Sequence, residues 1–305
     1  MENILVTGSS GFVGKSLLKV LSGNVRVLSR QNQTNVETII CDFENQSIPK
    51  NSFVGIDTVY HLAGLAHDMR ETDDLRGLYK KLNVDVTVRL AELAVENGVK
   101  RFVFVSSVKA GGISVNKEPA DETFQSIPDG IYGQTKRDAE LKLLEIGRAS
   151  DMKVSIIRPA LVYGPDVKGH LHLMLSAIKS GWFPPLPETG NRRSMIHVDD
   201  LVQAILLIAH DYRGDGGIFI ATDGVPYSAR SIYMGICISA GRSVPRWTTP
   251  NVVFTALKLC SRSLRYKLDK LFGSEYYSSA KLEKLGFVAN HKLTDRKIII
   301  NKHTV

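Results

Sequence analysis

Six short runs of apolar, mostly β-branched residues punctuate the first 160 positions: NILVTG, VRVLSR, VETIICD, DTVYHLAG, RFVFVSS and KVSIIRP. Each reads as buried on both sides rather than alternating. That is the pattern of a parallel sheet covered by helices on both faces. Helical spacing fills the intervals over residues 11–22, 83–97 and 132–149, with Val84, Val88, Leu90, Leu93 and Ala94 forming the apolar stripe of the second. Strands alternating with helices predict an α/β fold, a doubly wound parallel sheet. After about residue 165 the texture changes, with WFPPLPETGNRR reading as a loop and less regular elements following. The expected organisation is a first domain over 1–165 and a smaller lobe over 166–305, some of whose segments return to the first core. Segment 252–272, VVFTALKLCSRSLRYKLDKLF, is basic and partly amphipathic. It reads as a solvated helix face, with membrane-surface contact as the alternative.

Composition narrows the class little further. The chain has 305 residues, 43% hydrophobic and 23% charged, with a formal net charge of +8. That balance suits nucleic acid, an anionic membrane surface or a small phosphorylated ligand without choosing among them. No uninterrupted apolar stretch reaches the ~18 residues of a membrane span, and MENILVTG has no basic-then-apolar leader, so a cytoplasmic protein without stable membrane insertion is expected. Cys41, Cys237 and Cys260 are far apart and odd in number, and read as packing residues. The eight histidines show no metal-ligand cluster, so no metal is expected, and His61 reads as a packed strand residue. Only Trp247 beside Arg246 hints at the basic stripe with stacking aromatics that nucleic acid requires, and no nucleic-acid partner is expected.

The candidate chemistry begins in VTGSSGFVGKSLL, where Gly8, Gly11 and Gly14 stand three apart between the first strand and a helix. Glycines there permit a tight turn and close approach of backbone N–H groups to a diphosphate, with Ser10, Phe12 and Val13 on the same loop. At the end of the second strand, Ser29 and Arg30 offer a hydroxyl and a guanidinium suited to a ribose 2′-phosphate, where NAD-selective proteins usually place a carboxylate. NADP(H) is therefore favoured over NAD(H). Asp42, followed by Phe43, closes the third strand and is placed either to accept from the adenine amino group or to cap a turn. In IYGQTK, after Pro128, Asp129 and Gly130, Tyr132 and Lys136 are one helical turn apart and can point into one cleft.

With TGSSGFVG, HLAG at 61–64, Asn83 in KLNVDVTVRLAELA, FVSS at 104–107, YGQTK, RPALVYGP at 158–165 and RRSMIHVDDLV at 192–202, the chain resembles the extended short-chain dehydrogenase/reductases, in particular their nucleotide-sugar branch. The resemblance covers nearly the whole length and implies a Rossmann domain with a C-terminal substrate-binding lobe. It implies that Tyr132 is the acid/base, Lys136 its partner that lowers the phenol pKa, and Ser107 the third catalytic residue. It places Leu62, Ala63, Gly64, Asn83 and Pro159 around the cofactor, with Asn83 as loop support. Ser106, Ser107, Lys109, His170 and Arg193 fall on the substrate side, Arg193 on the position that grips a UDP diphosphate. Asp199 and Asp200 are expected to cap a helix.

Departures from the branch sharpen the expectation. Val108 and Lys109 stand where 4,6-dehydratases carry an Asp-Glu pair, Leu161 replaces the usual substrate-side Asn, and Ser29-Arg30 lacks the carboxylate with which many epimerases retain NAD. The expected activity is NADPH-dependent reduction of the 4-keto group of a UDP-4-keto-6-deoxy-N-acetylhexosamine in surface-polysaccharide synthesis, by a homodimer. A UDP-N-acetylhexosamine or UDP-glucose 4-epimerase is the alternative within the fold, and a non-catalytic NADP(H)-sensing protein the alternative outside enzymes.

Overall fold

The computed structural model describes residues 1–66, 73–114, 118–128 and 130–294. Asp129 and residues 295–305 lie outside them. The first half alternates as expected: β1 (Asn3–Thr7), α1 (Phe12–Leu18), β2 (Asn24–Ser29), β3 (Glu37–Ile40), β4 (Thr58–His61), α2 (Asp73–Lys80), α3 (Val86–Glu96), β5 (Arg101–Val105), α4 (Gly130–Arg148) and β6 (Lys153–Pro159). A short β7 (Leu161–Tyr163) leads to α5 (His170–Lys179), β8 (Arg193–His197) and α6 (Val198–His210). Then come β9 (Ile218–Ala221), β10 (Pro226–Tyr227), α7 (Ala229–Ser239), α8 (Asn251–Cys260), α9 (Arg262–Phe272) and α10 (Ala280–Glu283).

All six apolar runs are strands of one parallel sheet, in the order β3-β2-β1-β4-β5-β6-β9. The seventh, β9, comes from beyond residue 165. Its IFIA core is too short to announce itself, yet it pairs in parallel with β6, Pro159 opposite Ala221. The strands carry no polar face because both faces are buried. Ile4, Val6, Val27, Val103 and Ile157 pack under Leu17 of α1 and Leu201, Ile205 and Ile208 of α6. Their chain neighbours Leu5, Leu28, Phe102, Phe104 and Ile156 turn to the other side, under Leu90 and Leu93 of α3 and Ala139 and Leu143 of α4.

A third core, with Tyr163, Leu171, Met174, Leu186, Tyr227, Ile232 and Phe254, gathers α5, α7, α8, α9 and the small β10-β8-β7 sheet beside the larger one. Segment 252–272 forms α8 and α9, and α9 turns a charged face to solvent as expected. Helix α8 differs: it buries Phe254 while leaving Val252 and Leu259 at 70% and 80% exposure, so its outer face is apolar. Cys41 and Cys237 are packed, as read from the sequence, but Cys260 at the end of α8 is exposed.

One ion pair crosses the interior. Arg158 of β6 meets Glu140 of α4 in a bidentate fork, Nε to Oε1 at 2.9 Å and Nη2 to Oε2 at 2.5 Å, with both side chains at least 98% buried. Removing one member strands the other charge in a low-dielectric interior, which costs about 3–5 kcal/mol, whereas replacing both is far milder. Glu140→Gln should therefore lower the unfolding free energy by about 3 kcal/mol or more in urea denaturation, and Glu140→Leu/Arg158→Met should recover most of the loss. Equal losses in the single and double variants would contradict this account.

Candidate active site

The strand order reverses direction of growth between β1 and β4, and a doubly wound sheet opens its ligand crevice at the carboxyl ends of the strands at such a point. Gly8 stands there with φ of +75°, and a Cβ on it would lie 2.5 Å from the Ala63 amide nitrogen. A Cβ on Gly14 would collide with the Gly8 carbonyl oxygen, so the helix and the loop after β1 approach as closely as backbone allows. Gly11 caps α1 without a side-chain bond, and the first turn has no acidic residue. Its N–H groups therefore face the crevice unmasked, which suits a diphosphate. Ser10 is exposed at the lip, while Phe12 packs into the lobe core and Val13 into the sheet core.

Beyond β2, Ser29 is buried and its hydroxyl accepts from Gln33 Nε2 at 3.1 Å; the same amide reaches Ser9 Oγ at 2.5 Å. Gln33 thus ties the glycine loop to the end of β2, a contact the sequence reading missed because nothing in QNQTN marks one amide over another. Arg30 is exposed and its charge reaches Asp42. Of the two roles open to Asp42, its side chain is engaged in the turn. Oδ2 accepts from Asn45 at 2.8 Å and Oδ1 from the Glu44 amide at 3.1 Å, and these bonds hold the carboxyl below its ordinary pKa. Phe43 is half-buried against the sheet core.

At the floor, Thr7 Oγ1 bonds His61 Nδ1 at 2.6 Å and His61 Nε2 bonds Thr87 Oγ1 at 2.8 Å. Thr87 donates its own proton to the Asn83 carbonyl, which leaves Nε2 as the protonated nitrogen of His61. Burial drives the His61 pKa down to about 3, so the ring is a neutral packed group, as expected. Leu62 packs in the core, and the Ala63 amide donates to Thr7 Oγ1 at 3.3 Å. Asn83 sits in a π-helical stretch, Lys81–Asp85, that leads into α3. It accepts from the Leu65 amide at 2.7 Å, donates to the Leu65 carbonyl at 3.1 Å and to Thr135 Oγ1 at 3.1 Å, so it holds the loop after β4 to α4. A Cβ on Gly64 would lie 2.9 Å from the Asn83 amide oxygen and 3.4 Å from Lys136 Nζ.

Ser107, Tyr132 and Lys136 converge at the end of β5. The Ser107 hydroxyl faces the Tyr132 phenol closely enough to lower its pKa, and it accepts from the Lys109 amide at 3.3 Å, capping a 3₁₀ turn over Val108–Gly111. Burial pushes the Tyr132 pKa up to about 12, against the lowering by Ser107. Lys136, one turn along α4, makes its own buried contacts beside the phenol. Its ammonium donates to the Val105 carbonyl at 3.0 Å, lies 4.5 Å from the Phe104 ring centroid, and is pushed down to about 8 by burial. Tyr79 of α2 also lies close enough to bear on Tyr132. Ser106 is buried with its hydroxyl unpartnered among the described residues, and Pro159 ends β6 beside it.

On the lobe, Arg193 opens β8 with Nη2 3.3 Å from Glu275 Oε1 and Nη1 on the Lys270 carbonyl at 2.5 Å, while His170 is exposed at the start of α5. The capping expectation needs correcting: the His197 ring, not an aspartate, accepts from the Asp199 amide at 3.3 Å to cap α6. Buried Asp200 instead accepts the backbone N–H and the Nδ1 of His291, tying the C-terminal segment down. The fold also makes one grouping that the sequence does not show. Ligand atoms of His197, Asp199 and His291 lie within 4.8 Å of one another, brought together from positions too distant to show in the sequence. A separate concavity of about 550 Å³, lined by Lys100, Arg101, Lys153 and His210, opens at the amino ends of β5 and β6, the end opposite Tyr132.

The sequence pattern of the NAD dependent epimerase/dehydratase family matches residues 4–220. The chain belongs to that family. It is 32% identical over 296 residues to a UDP-glucose 4-epimerase of Vibrio cholerae, covering 89% of this chain and 83% of the relative. It is 27% identical over 312 residues to N-acetyl-alpha-D-glucosaminyl-diphospho-ditrans,octacis-undecaprenol 4-epimerase of Escherichia coli O157:H7, covering 96% and 92%. Among solved structures, MoeE5 in complex with UDP-glucose and NAD superimposes with a TM-score of 0.76 at 25% identity over 96% of this chain and 95% of that one. The UDP-glucose 4-epimerase of Thermotoga maritima, at 22% identity over 97% and 96%, shares the fold with a TM-score of 0.78. The protein is thus an NAD(P)-dependent enzyme of the extended short-chain dehydrogenase/reductases. No helix among the described residues is long and apolar enough to cross a membrane.

The buried ammonium gives this family member a pH signature. Below pH 8 folded and unfolded chains both hold the Lys136 proton and the burial cost is at its full value. Between about 8 and the ordinary 10.5 the unfolded chain still holds a proton the folded chain has released, so stability rises with pH. The unfolding free energy of wild type minus that of Lys136→Met should therefore climb across this window, by at most ~1.4 kcal/mol per pH unit. A flat difference in pH-dependent denaturation would show that Lys136 is not desolvated.

Proposed function

We propose that this enzyme uses NADPH to reduce the 4-keto group of a UDP-4-keto-6-deoxy-N-acetylhexosamine, in sugar synthesis for surface polysaccharide. The observation that carries the reading is the end of β2, where Ser29, Arg30 and Gln33 stand in the place of a ribose-binding carboxylate. A guanidinium and a hydroxyl favour a 2′-phosphate, and a cofactor marked by that phosphate is one exchanged at each turnover. The tight glycine turn after β1 and the first turn of α1, which carries no acidic residue, fit the dinucleotide's diphosphate. When bound, NADPH supplies the hydride that reaches the carbonyl carbon.

The chain's own groups supply the rest. Tyr132, a phenol that burial keeps protonated well above neutral pH, gives its proton to the carbonyl oxygen as negative charge develops there. Ser107 hydrogen-bonds the same oxygen and the phenol. Lys136 exchanges its Val105 contact for the nicotinamide ribose, and its charge then stabilises the phenolate left behind. Val108 and Lys109, set in the 3₁₀ turn, supply no acid and base pair for dehydration. The lobe takes the sugar nucleotide, with Arg193 on the diphosphate and Ser106, Lys109 and His170 around the sugar. A cytoplasmic homodimer completes the reading. The V. cholerae relative's name favours 4-epimerisation as the second reading, which needs the same Ser107, Tyr132 and Lys136.

With UDP-4-keto-6-deoxy-N-acetylhexosamine, the loss of nicotinamide absorbance should be stoichiometric with product, and Tyr132→Phe should slow it about 10²–10⁴-fold while leaving NADPH binding near wild type. Interconversion of UDP-N-acetylhexosamine epimers without net cofactor oxidation would replace this reading with the second. For the cofactor, Arg30→Ala should weaken NADPH by about 1.5–3 kcal/mol and NADH far less, since only the 2′-phosphate contact is lost. Equal weakening in titrations of both would remove the basis for NADPH.

A further inference from the structure

We propose that the α8–α9 hairpin docks the enzyme on the surface of an anionic lipid bilayer. Helix α8 buries Phe254 and turns Val252, Val253, Leu257 and Leu259 to solvent at 70%, 41%, 36% and 80% exposure. A water-facing helix is ordinarily polar on its outer face, so this one presents the wrong face for water alone. It is firmly built, with Phe254 edge-on to Phe272 at 5.1 Å between centroids and Lys258 paired to Asp269 at 2.7 Å. The loop leading into it carries Trp247, 63% exposed, and is fastened to the turn after α5 by Thr249 N–H to the Pro185 carbonyl at 2.9 Å. That turn carries Trp182, 86% exposed.

Charge selects the occupant. Between residues 242 and 270 stand Arg242, Arg246, Lys258, Arg262, Arg265, Lys267 and Lys270 against the single carboxylate Asp269. Seven minus one leaves +6 of the chain's formal +8 on this one segment. Two copies meeting face to face would oppose like charges, which disfavours self-association here. Nucleic acid would use the cations but not the exposed aliphatics. An anionic bilayer uses both: exposed aliphatic and indole groups enter the interfacial region while Lys and Arg meet lipid phosphates. The attachment is peripheral, because no helix among the described residues is long and apolar enough to span. The exposed face stands apart from the groups of the reaction proposed above: Ser107, Tyr132 and Lys136 are on other elements, and Arg193 meets α9 only through the Lys270 carbonyl.

The test is co-sedimentation of the full chain with vesicles of phosphatidylglycerol and phosphatidylethanolamine, beside vesicles of phosphatidylcholine. Binding should be confined to the anionic vesicles and weaken as salt shortens the screening length. Val252→Glu/Leu259→Glu should lower the partition coefficient at least about tenfold with thermal unfolding unchanged, because both positions are solvent-facing. Arg262→Gln/Arg265→Gln/Lys267→Gln, which leaves the apolar face intact, should weaken binding to anionic vesicles specifically. In a Trp182→Phe background the remaining Trp247 fluorescence should shift to shorter wavelength on binding. Equal partition into both vesicle types, or binding indifferent to both sets of substitutions, overturns the proposal. So does a lipid-free dimer lost in Val252→Glu/Leu259→Glu, which would give the face to a second copy.

Discussion

An ammonium group inside a sheet domain is the constraint on which the rest of the site depends. Lys136 is 4% exposed, and among the described residues no carboxylate is paired with it; it is held by the Val105 carbonyl and the face of Phe104. One turn along α4, Glu140 lends it a favourable charge while being committed to Arg158 of β6. Helix α4 therefore enters the core with a cation, an anion and a facing cation in line, and the fork fixes its height against β6. Burial costs such groups their hydration, and the same burial makes them responsive, because a poorly solvated ammonium gains most when a phenolate or a ribose arrives beside it.

The loops around that line are positioned by backbone contact more than by side chains. Gly8 and Gly14 bring α1 onto β1, and the loop after β4 is pinned by Asn83, whose π-helical turn presents its amide to both Leu65 and Thr135. The Thr7–His61–Thr87 chain ties β1 to β4 under the crevice through a neutral ring, without adding a charge beside Lys136. The lobe is anchored by its own buried polar cluster. Asp223 accepts from Tyr227 at 2.8 Å and Tyr163 at 3.2 Å, and Asp200 holds His291, so the C-terminal segment closes back over both cores.

A fold of this kind separates chemistry from specificity. Ser107, Tyr132 and Lys136 sit on α4 and at the end of β5, at the edge of the sheet, whereas Arg193, His170 and the α8–α9 hairpin stand on the lobe, where surface can change without disturbing the sheet. Family membership therefore speaks to the first group and says much less about the second.

The sequence by itself determined the sheet and the local arrangement at its carboxyl edge. Six doubly apolar runs had to be strands covered on both faces, and spacing alone put Tyr132 and Lys136 on one face of α4 and three glycines at the start of α1. These are local consequences of helix and strand periods. Tertiary structure decided what depends on partners distant in the chain. It brought β9 into the sheet, set the Lys136 ammonium on the Val105 carbonyl, gave the α6 cap to His197, and gathered His197, Asp199 and His291. It also left α8 apolar side outward, because an amphipathic pattern says which residues share a face but not whether the fold has anything to lay against it.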